Sequence, residues 1–153
     1  MVGTPIGNFS DVSSRALAIL GSCDYIACED SRVAAKLFSL LKIEKKNGFI
    51  GYRDENEVEQ AQKIVELLKN GKSVAIVSDA GLPGISDPGF RVVRECRRNG
   101  MRVVPVSGPC ALTLGLIASG LPTNSFLYVG FLPPRSGARQ TFFQKYFDFE
   151  HTI

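Results

Sequence analysis

Four charged residues stand where an alternating strand-and-helix chain does its chemistry. Glu29, Asp30 and Arg32 follow a short apolar run, Tyr25-Ile26-Ala27-Cys28, and Asp79 follows a second, Val74-Ala75-Ile76-Val77. A carboxylate in such a place can act as a general base or accept hydrogen bonds from a ligand. An arginine beside it can grip a phosphate or orient the carboxylate. A plainer reading stands next to this one: Glu29, Asp30 and Arg32 cap the next helix and pair with one another. Asp79 has no capping role to fill, since it leaves the strand directly into Ala80 and Gly81, and a ligand role is expected for it.

Three loops carry the small residues that let a backbone approach a ligand closely. The first, Gly3-Thr4-Pro5-Ile6-Gly7-Asn8, lacks the G-x-G-x-x-G dinucleotide fingerprint. The second, residues 78–89, reads Ser-Asp-Ala-Gly-Leu-Pro-Gly-Ile-Ser-Asp-Pro-Gly. Loops from strand to helix usually need only about two to six residues, so this one is long for a plain connection. Its Asp87-Pro88 pair fits a helix cap followed by proline in the first turn. The third, Ser107-Gly108-Pro109-Cys110-Ala111, enters an apolar helix. In a parallel sheet all three leave the carboxyl edge, where open α/β sheets bind ligands.

Those loops need a scaffold, and the pattern supplies one. Helices are expected over residues 12–20 (capped by Asp11 or Ser10), 31–41, 57–70, 90–99 and 110–119, and strands over 25–28, 49–52, 73–77 and 101–106. The helix over 57–70 turns Val58, Ala61, Val65 and Leu68 inward, with Gly71 beyond its end. The alternation implies an α/β fold: a mostly parallel sheet with helices on both faces. One domain is expected over residues 1–121 and a linker over 122–125. The start of a second α/β domain follows over 126–153, with a strand over 126–131 and a helix over 138–147. Met1-Val2 reads as the tail of a first strand, and one strand with one helix is too little for a second core. The chain is therefore expected to be a fragment.

Composition removes other classes. Hydrophobic residues make up 44% and charged residues 22% of 153 residues, as in globular domains. No apolar run approaches the roughly 18 residues of a membrane span. The four cysteines form no C-x-x-C pair and the chain has one histidine, His151, so no metal site is expected. Free thiols of a reducing cytoplasm are the simpler reading.

Several strings occur in one order: Thr4-Pro5-Ile6-Gly7-Asn8, Glu29-Asp30-Ser31-Arg32, Val77-Ser78-Asp79-Ala80-Gly81, Asp87-Pro88-Gly89, Ser107-Gly108-Pro109-Cys110-Ala111 and Gly130-Phe131-Leu132-Pro133. With that spacing the whole chain resembles the first domain, and the start of the second, of the ribosomal RNA small-subunit 2′-O-methyltransferase I family. That family belongs to the tetrapyrrole methylase superfamily, the class III methyltransferases. The resemblance implies a two-domain enzyme, a homodimer at full length. It would use S-adenosyl-L-methionine to methylate the ribose 2′-hydroxyl of a cytidine in small-subunit (16S) ribosomal RNA. It implies that Pro5 and Ile6, then Asp79, Ala80, Gly81 and Leu82, and then Cys110 and Ala111 line the cofactor. Glu29, Asp30 and Arg32 would face the substrate, and Arg135 and Arg139 would bind RNA.

The chain departs from the family pattern in two places. Ser31 stands where relatives usually have Thr. Tyr52-Arg53-Asp54-Glu55-Asn56-Glu57 stands where they often show Tyr-His-x-His-Asn-Glu, so both histidines are replaced. A methylase of corrin-type tetrapyrroles or of a protein residue, and a non-catalytic nucleotide- or RNA-binding module, remain as alternatives. Arg91, Arg94 and Arg98 form a basic stripe at helical spacing, most simply a solvated helix face. Phe142, Phe143, Phe147 and Phe149 cluster as part of a core rather than as stacking platforms.

Overall fold

The computed structural model describes residues 1–44 and 48–153, which gather into two compact units, Met1–Cys110 and Ala111–Ile153. In the first unit three parallel strands, β1 (Tyr25–Cys28), β2 (Phe49–Gly51) and β3 (Val74–Val77), form a sheet in the order β2-β1-β3. Ile26 stands opposite Phe49 and Ala75. Residues 1–4 extend the sheet beyond β3: the Val2 N–H donates to the Ile76 carbonyl (2.8 Å). On their other side, the Val106 N–H donates to Met1 O (2.8 Å) and the Gly3 N–H to Val106 O (3.1 Å).

Successive residues of a strand face opposite sides, so a sheet covered on both faces is apolar throughout. Ile26, Cys28, Ala75 and Val77 pack with Ala16 and Leu20 of α1 (Ser14–Ser22) and with Ala34 and Phe38 of α2 (Ser31–Leu40). Ala27 and Ile76 face the opposite way. They pack with Ala61, Ile64 and Val65 of α3 (Glu57–Lys69) and with Val92 and Cys96 of α4 (Phe90–Arg98). The expected α/β class with two covered faces is what the chain adopts.

This layering fixes where a ligand crevice can form. The helix after β3, α4, lies on one face. The helices after its two neighbours, α2 after β1 and α1 after residues 1–4, lie on the other. β3 is thus flanked on both sides by a topological switch, and the loop over residues 78–89 leaves its carboxyl end, the place where open α/β sheets bind ligands.

Four details differ from the sequence reading. The first helix starts at Ser14, not at residue 12. The Asn8 side chain accepts from the Ser10 N–H (3.0 Å) and opens a 3₁₀ turn, Phe9–Asp11, and the Ser13 hydroxyl then caps α1 by accepting from the Ala16 N–H (3.1 Å). Residues 101–106 are extended but make only an isolated bridge, Val106 with Val2, because the segment beside them pairs over too few residues for a ladder. Residues 126–131 likewise form no strand among the described residues, only a bridge from Phe126 to Thr152. Asp87 does not cap α4. The cap position belongs to Gly89, and the capping carboxylate comes from Glu57.

The second unit contains α5 (Ala111–Ala118) and α6 (Ser136–Gln144). None of its described residues is fully buried. Its aromatics touch in series, Phe142 with Tyr146 (5.1 Å between ring centroids), Tyr146 with Phe149 and Phe149 with His151, while Phe147 remains 86% exposed.

Candidate active site

Backbone contact brings the three loops together. A Cβ built on Gly3 would lie 2.7 Å from the Gly108 Cα and 2.9 Å from Cδ2 of Leu82. First, second and third loops therefore meet at one crossing that only glycine fits. Gly81 has φ +81°, a left-handed conformation that favours glycine, and its Cβ position faces Ile6 (3.4 Å) and the Pro109 carbonyl (3.7 Å). Thr4 clamps the first loop to the second. Its N–H donates to Gly81 O (2.8 Å), its carbonyl accepts from the Gly81 N–H (3.2 Å), and its buried hydroxyl donates to Ser78 O (3.3 Å). The Ser13 hydroxyl reaches Ser107 O (3.4 Å), tying α1 to the third loop.

Of the residues singled out for the cofactor, Pro5, Ile6, Asp79, Ala80, Gly81, Leu82 and Cys110 belong to this first unit. Pro5 and Gly81 are buried, Ile6, Leu82 and Cys110 half-buried, and Asp79 and Ala80 exposed. The edge is consequently walled by backbone and apolar side chains, with one carboxylate at its rim. Ala111 opens α5 in the second unit.

The charged residues divide by environment. Asp30 caps α2 by accepting from the Arg32 N–H (2.8 Å) and grips the Arg32 guanidinium from two oxygens, at 2.6 Å from Nη2 and 3.0 Å from Nε. That pairing holds the Asp30 carboxyl well below the usual carboxylate range. The Arg32 side chain nevertheless stays 88% exposed, so its remaining donors face water. The Asp79 carboxylate accepts from the Asp30 N–H (3.3 Å), joining the ends of β1 and β3. Glu29 behaves oppositely to Asp30. Partial burial raises its carboxyl above the ordinary value, and the negative charges of Asp79, Asp87 and Asp54 add to this, against the pull of Arg53. Burial likewise raises Asp87, opposed by a hydrogen bond with Ser78.

A polar knot that sequence reading missed lies behind the second loop. Glu57, at the start of α3, is 7% exposed, and its Oε1 accepts from the Gly89 N–H (3.0 Å), the Arg91 N–H (3.2 Å) and the Tyr52 hydroxyl (2.7 Å). Its Oε2 pairs with Nε of Arg91 at 3.1 Å. The Tyr52 oxygen in turn accepts from the Val92 N–H (3.2 Å), so one carboxylate and one phenol serve the open N–H groups of α4. Burial alone would raise the Glu57 carboxyl, but these donors outweigh it and hold it below its ordinary value. The Tyr52 hydroxyl is pushed up strongly, by burial first and then by Glu57. The signal was available: a helix that starts after Pro88-Gly89 has no side chain of its own to cap it. Arg53, in the segment where the chain departs from the pattern it resembles, donates from Nε to the Glu29 carbonyl (2.9 Å).

In the second unit Arg135 is exposed and occupies the cap position of α6. Arg139 turns inward, its Nη1 donating to the carbonyls of Pro133 (3.3 Å) and Pro134 (2.5 Å). Among the described residues no helix is long and apolar enough to cross a membrane, and no cluster of His, Cys, Asp and Glu is placed to hold a metal ion.

Comparison with known proteins shows which family the chain belongs to. The chain is 49% identical over 140 residues to the ribosomal RNA small subunit methyltransferase I of Vibrio cholerae, a match covering 92% of this chain and 48% of that one. It is 45% identical over 153 residues to the protein of the same name from Pasteurella multocida, covering 100% of this chain and 54% of that one. The chain thus spans about half the length of the curated relatives it matches. Among solved structures, the uroporphyrin-III-C-methyltransferase of Thermus thermophilus superposes with a TM-score of 0.57 at 23% identity. It covers 81% of this chain and 52% of that one, a likeness of fold. The family model of tetrapyrrole (corrin/porphyrin) methylases matches residues 1–153, and the chain belongs to that family.

Proposed function

We propose that this chain supplies the S-adenosyl-L-methionine-binding loops of a methyltransferase that modifies small-subunit ribosomal RNA, at the 2′-hydroxyl of a cytidine ribose. The observation that carries this reading is the crossing of Gly3, Gly108 and Leu82, with Gly81 held against Ile6. Glycine at these positions lets the three loops pack backbone to backbone at the carboxyl edge of β3, and that packing fixes the loops around a cofactor site. Pro5, Ile6, Ala80, Leu82 and Cys110 would supply its apolar walls and Asp79 a hydrogen-bonding carboxylate. The bound cofactor supplies an electrophilic methyl group.

The remaining chemistry falls to the chain's own residues. A ribose hydroxyl is a poor nucleophile until a base helps to remove its proton. Glu29, raised by burial and by neighbouring carboxylates, is the residue poised to accept it. Asp30 stays ionised and holds Arg32 in place, and the exposed guanidinium of Arg32 binds a phosphate of the substrate. Arg135, exposed at the start of α6, offers a further phosphate contact, and Arg139, bound to two carbonyls, braces the loop before it. Cytoplasmic location and assembly as a homodimer belong to the same reading.

RNA as substrate is supported by the names of the relatives and by the Glu29-Asp30-Ser31-Arg32 string. Titration of the complete gene product with S-adenosylhomocysteine in a calorimeter tests the cofactor site, and no heat would reject it. Methyl-transfer assays on small subunits, free RNA and a tetrapyrrole test the substrate. Transfer to the tetrapyrrole alone would move the chain to the other branch of the family.

A further inference from the structure

The helix α4 carries four arginines and one glutamate, a net charge of +3, equal to that of the whole chain. One side of α4 is settled: Val92 (1% exposed) and Cys96 (5%) are buried against the sheet. On the other side Arg91, Arg94 and Arg98 line up over about two turns, roughly 10 Å of helix. Phe90 belongs to that charged side and is 66% exposed. The Arg94 guanidinium lies over its ring at 5.1 Å from the centroid.

Beside the stripe, Arg91, Arg94 and Arg98 rim a hollow of about 230 Å³ whose floor includes Val58 and Ala61 of α3. The acids within reach leave the stripe cationic. Arg98 pairs with Glu95 at 3.7 Å while 64% exposed, and Arg91 with Glu57 at 3.1 Å while 49% exposed. The Arg98–Glu95 pair is largely exposed, so it is weak and gives way to a better anion, whereas Arg91 meets the nearly buried Glu57 through Nε only. The Phe90 end adjoins Gly89, the last residue of the second loop, and Glu57 and Tyr52 fix that end of the helix.

We propose that the Phe90–Arg98 face of α4 is a docking surface for single-stranded RNA, with a base stacked on Phe90 and the flanking phosphates on Arg91, Arg94 and Arg98. This rests on the reading of RNA as the substrate and adds where its strand runs relative to the loop over residues 78–89. Single strands are held by this combination, aromatic faces for bases and guanidinium groups for the backbone. An A-form duplex keeps its bases stacked inside and has no use for Phe90.

Fluorescence anisotropy with a labelled 20-nucleotide single strand and its duplex tests this, using the chain, Phe90→Ala, Phe90→Tyr and the double variant Arg94→Ala/Arg98→Ala. Phe90→Ala should weaken the single strand about 5- to 100-fold, leave the duplex unchanged and keep the salt dependence. Phe90→Tyr should restore binding. The double arginine variant should reduce the slope of log K against log salt by about 1.4. Single-strand binding by both alanine variants within twofold of the unchanged chain overturns the proposal. So does absence of single-strand binding by the unchanged chain, or displacement of the RNA by poly-glutamate at equal charge concentration, which would indicate an acidic protein partner. Titration of the complete gene product and its variants with S-adenosylhomocysteine separates the two readings. Lost heat in the unchanged protein defeats the methyltransferase reading. Retained heat with unaffected RNA binding in the variants defeats only the α4 surface.

Discussion

Replacing Glu57 tests how the second loop is held. In the folded chain one nearly buried carboxylate serves two backbone N–H groups of α4, the Tyr52 hydroxyl and the Arg91 guanidinium. A hydrogen bond to a charged group contributes about 1.5–3 kcal/mol, and a buried donor left without a partner costs about 1–3 kcal/mol. These contributions share one carboxylate and do not add. Arg91 is half exposed, so its guanidinium can turn to water. Glu57→Ala should therefore destabilise the first unit by about 3–4 kcal/mol. Glu57→Gln, which keeps an acceptor and loses the charge at the helix N-terminus, should cost about 1–2 kcal/mol. At about 2–4 °C per kcal/mol for a chain of this size, Glu57→Ala should lower the midpoint by about 6–16 °C.

The pH dependence gives a second readout with a definite sign. The Glu57 carboxyl is held below its ordinary value of 4.5, so its contribution is present in full above that pH and is lost as pH falls through the depressed value. Wild type and Glu57→Gln should differ at pH 7 and converge in strong acid. Thermal and urea melts followed by circular dichroism at pH 7 and at a series of acidic pH values measure both effects. An alanine variant within 0.5 kcal/mol of wild type at pH 7, or a wild-type–glutamine gap independent of pH, would refute the capping argument.

Other substitutions address the site itself. Gly108→Ala places a Cβ 2.8 Å from the Gly3 Cα, so it should cost about 1–3 kcal/mol and weaken S-adenosylhomocysteine binding in calorimetry, whereas the same change at Gly100, whose Cβ position meets no other atom, should leave cofactor binding alone. Glu29→Gln should abolish the alkaline rise of methyl transfer that begins above the ordinary carboxylate pKa, with folding intact; an unchanged pH–rate profile would remove Glu29 as the proton acceptor. Asp30→Asn in the complete enzyme should strongly lower turnover with little change in cofactor affinity, because Arg32 loses its anchor; unchanged turnover would take the pair out of the mechanism.

Much of the fold was legible because burial leaves a periodic trace. β1 and β3 read as strands since both faces are covered, Ile26 and Cys28 on one side and Ala27 on the other. The start of α1 was not legible, because Asn8 and Ser13 compete with Ser10 and Asp11 as capping residues and the choice depends on where the first loop must go. Residues 101–106 have strand composition, but a strand is a pairing and composition cannot count its partners. The Asp87-Pro88 pair had the local form of a helix cap, yet Glu57, 32 residues from Gly89 in sequence, took that role.

Sequence by itself determined which residues could do chemistry and roughly where they lie: small residues and carboxylates in loops that follow apolar runs. Residue type and period are local properties, and local physics sets them. Only the tertiary structure decided which of those residues meet. It pressed Gly3 against Gly108 and Gly81 against Ile6, gave Asp30 to a cap and an arginine, and left Glu29 among like charges. It also recruited Glu57 and Tyr52 to fix the helix behind the loop. A carboxylate's proton affinity depends on the charges and water around it, and those are set by segments distant in sequence. Candidates for the chemistry were therefore nameable from the chain, while the opposite settings of Glu29 and Asp30 required the fold.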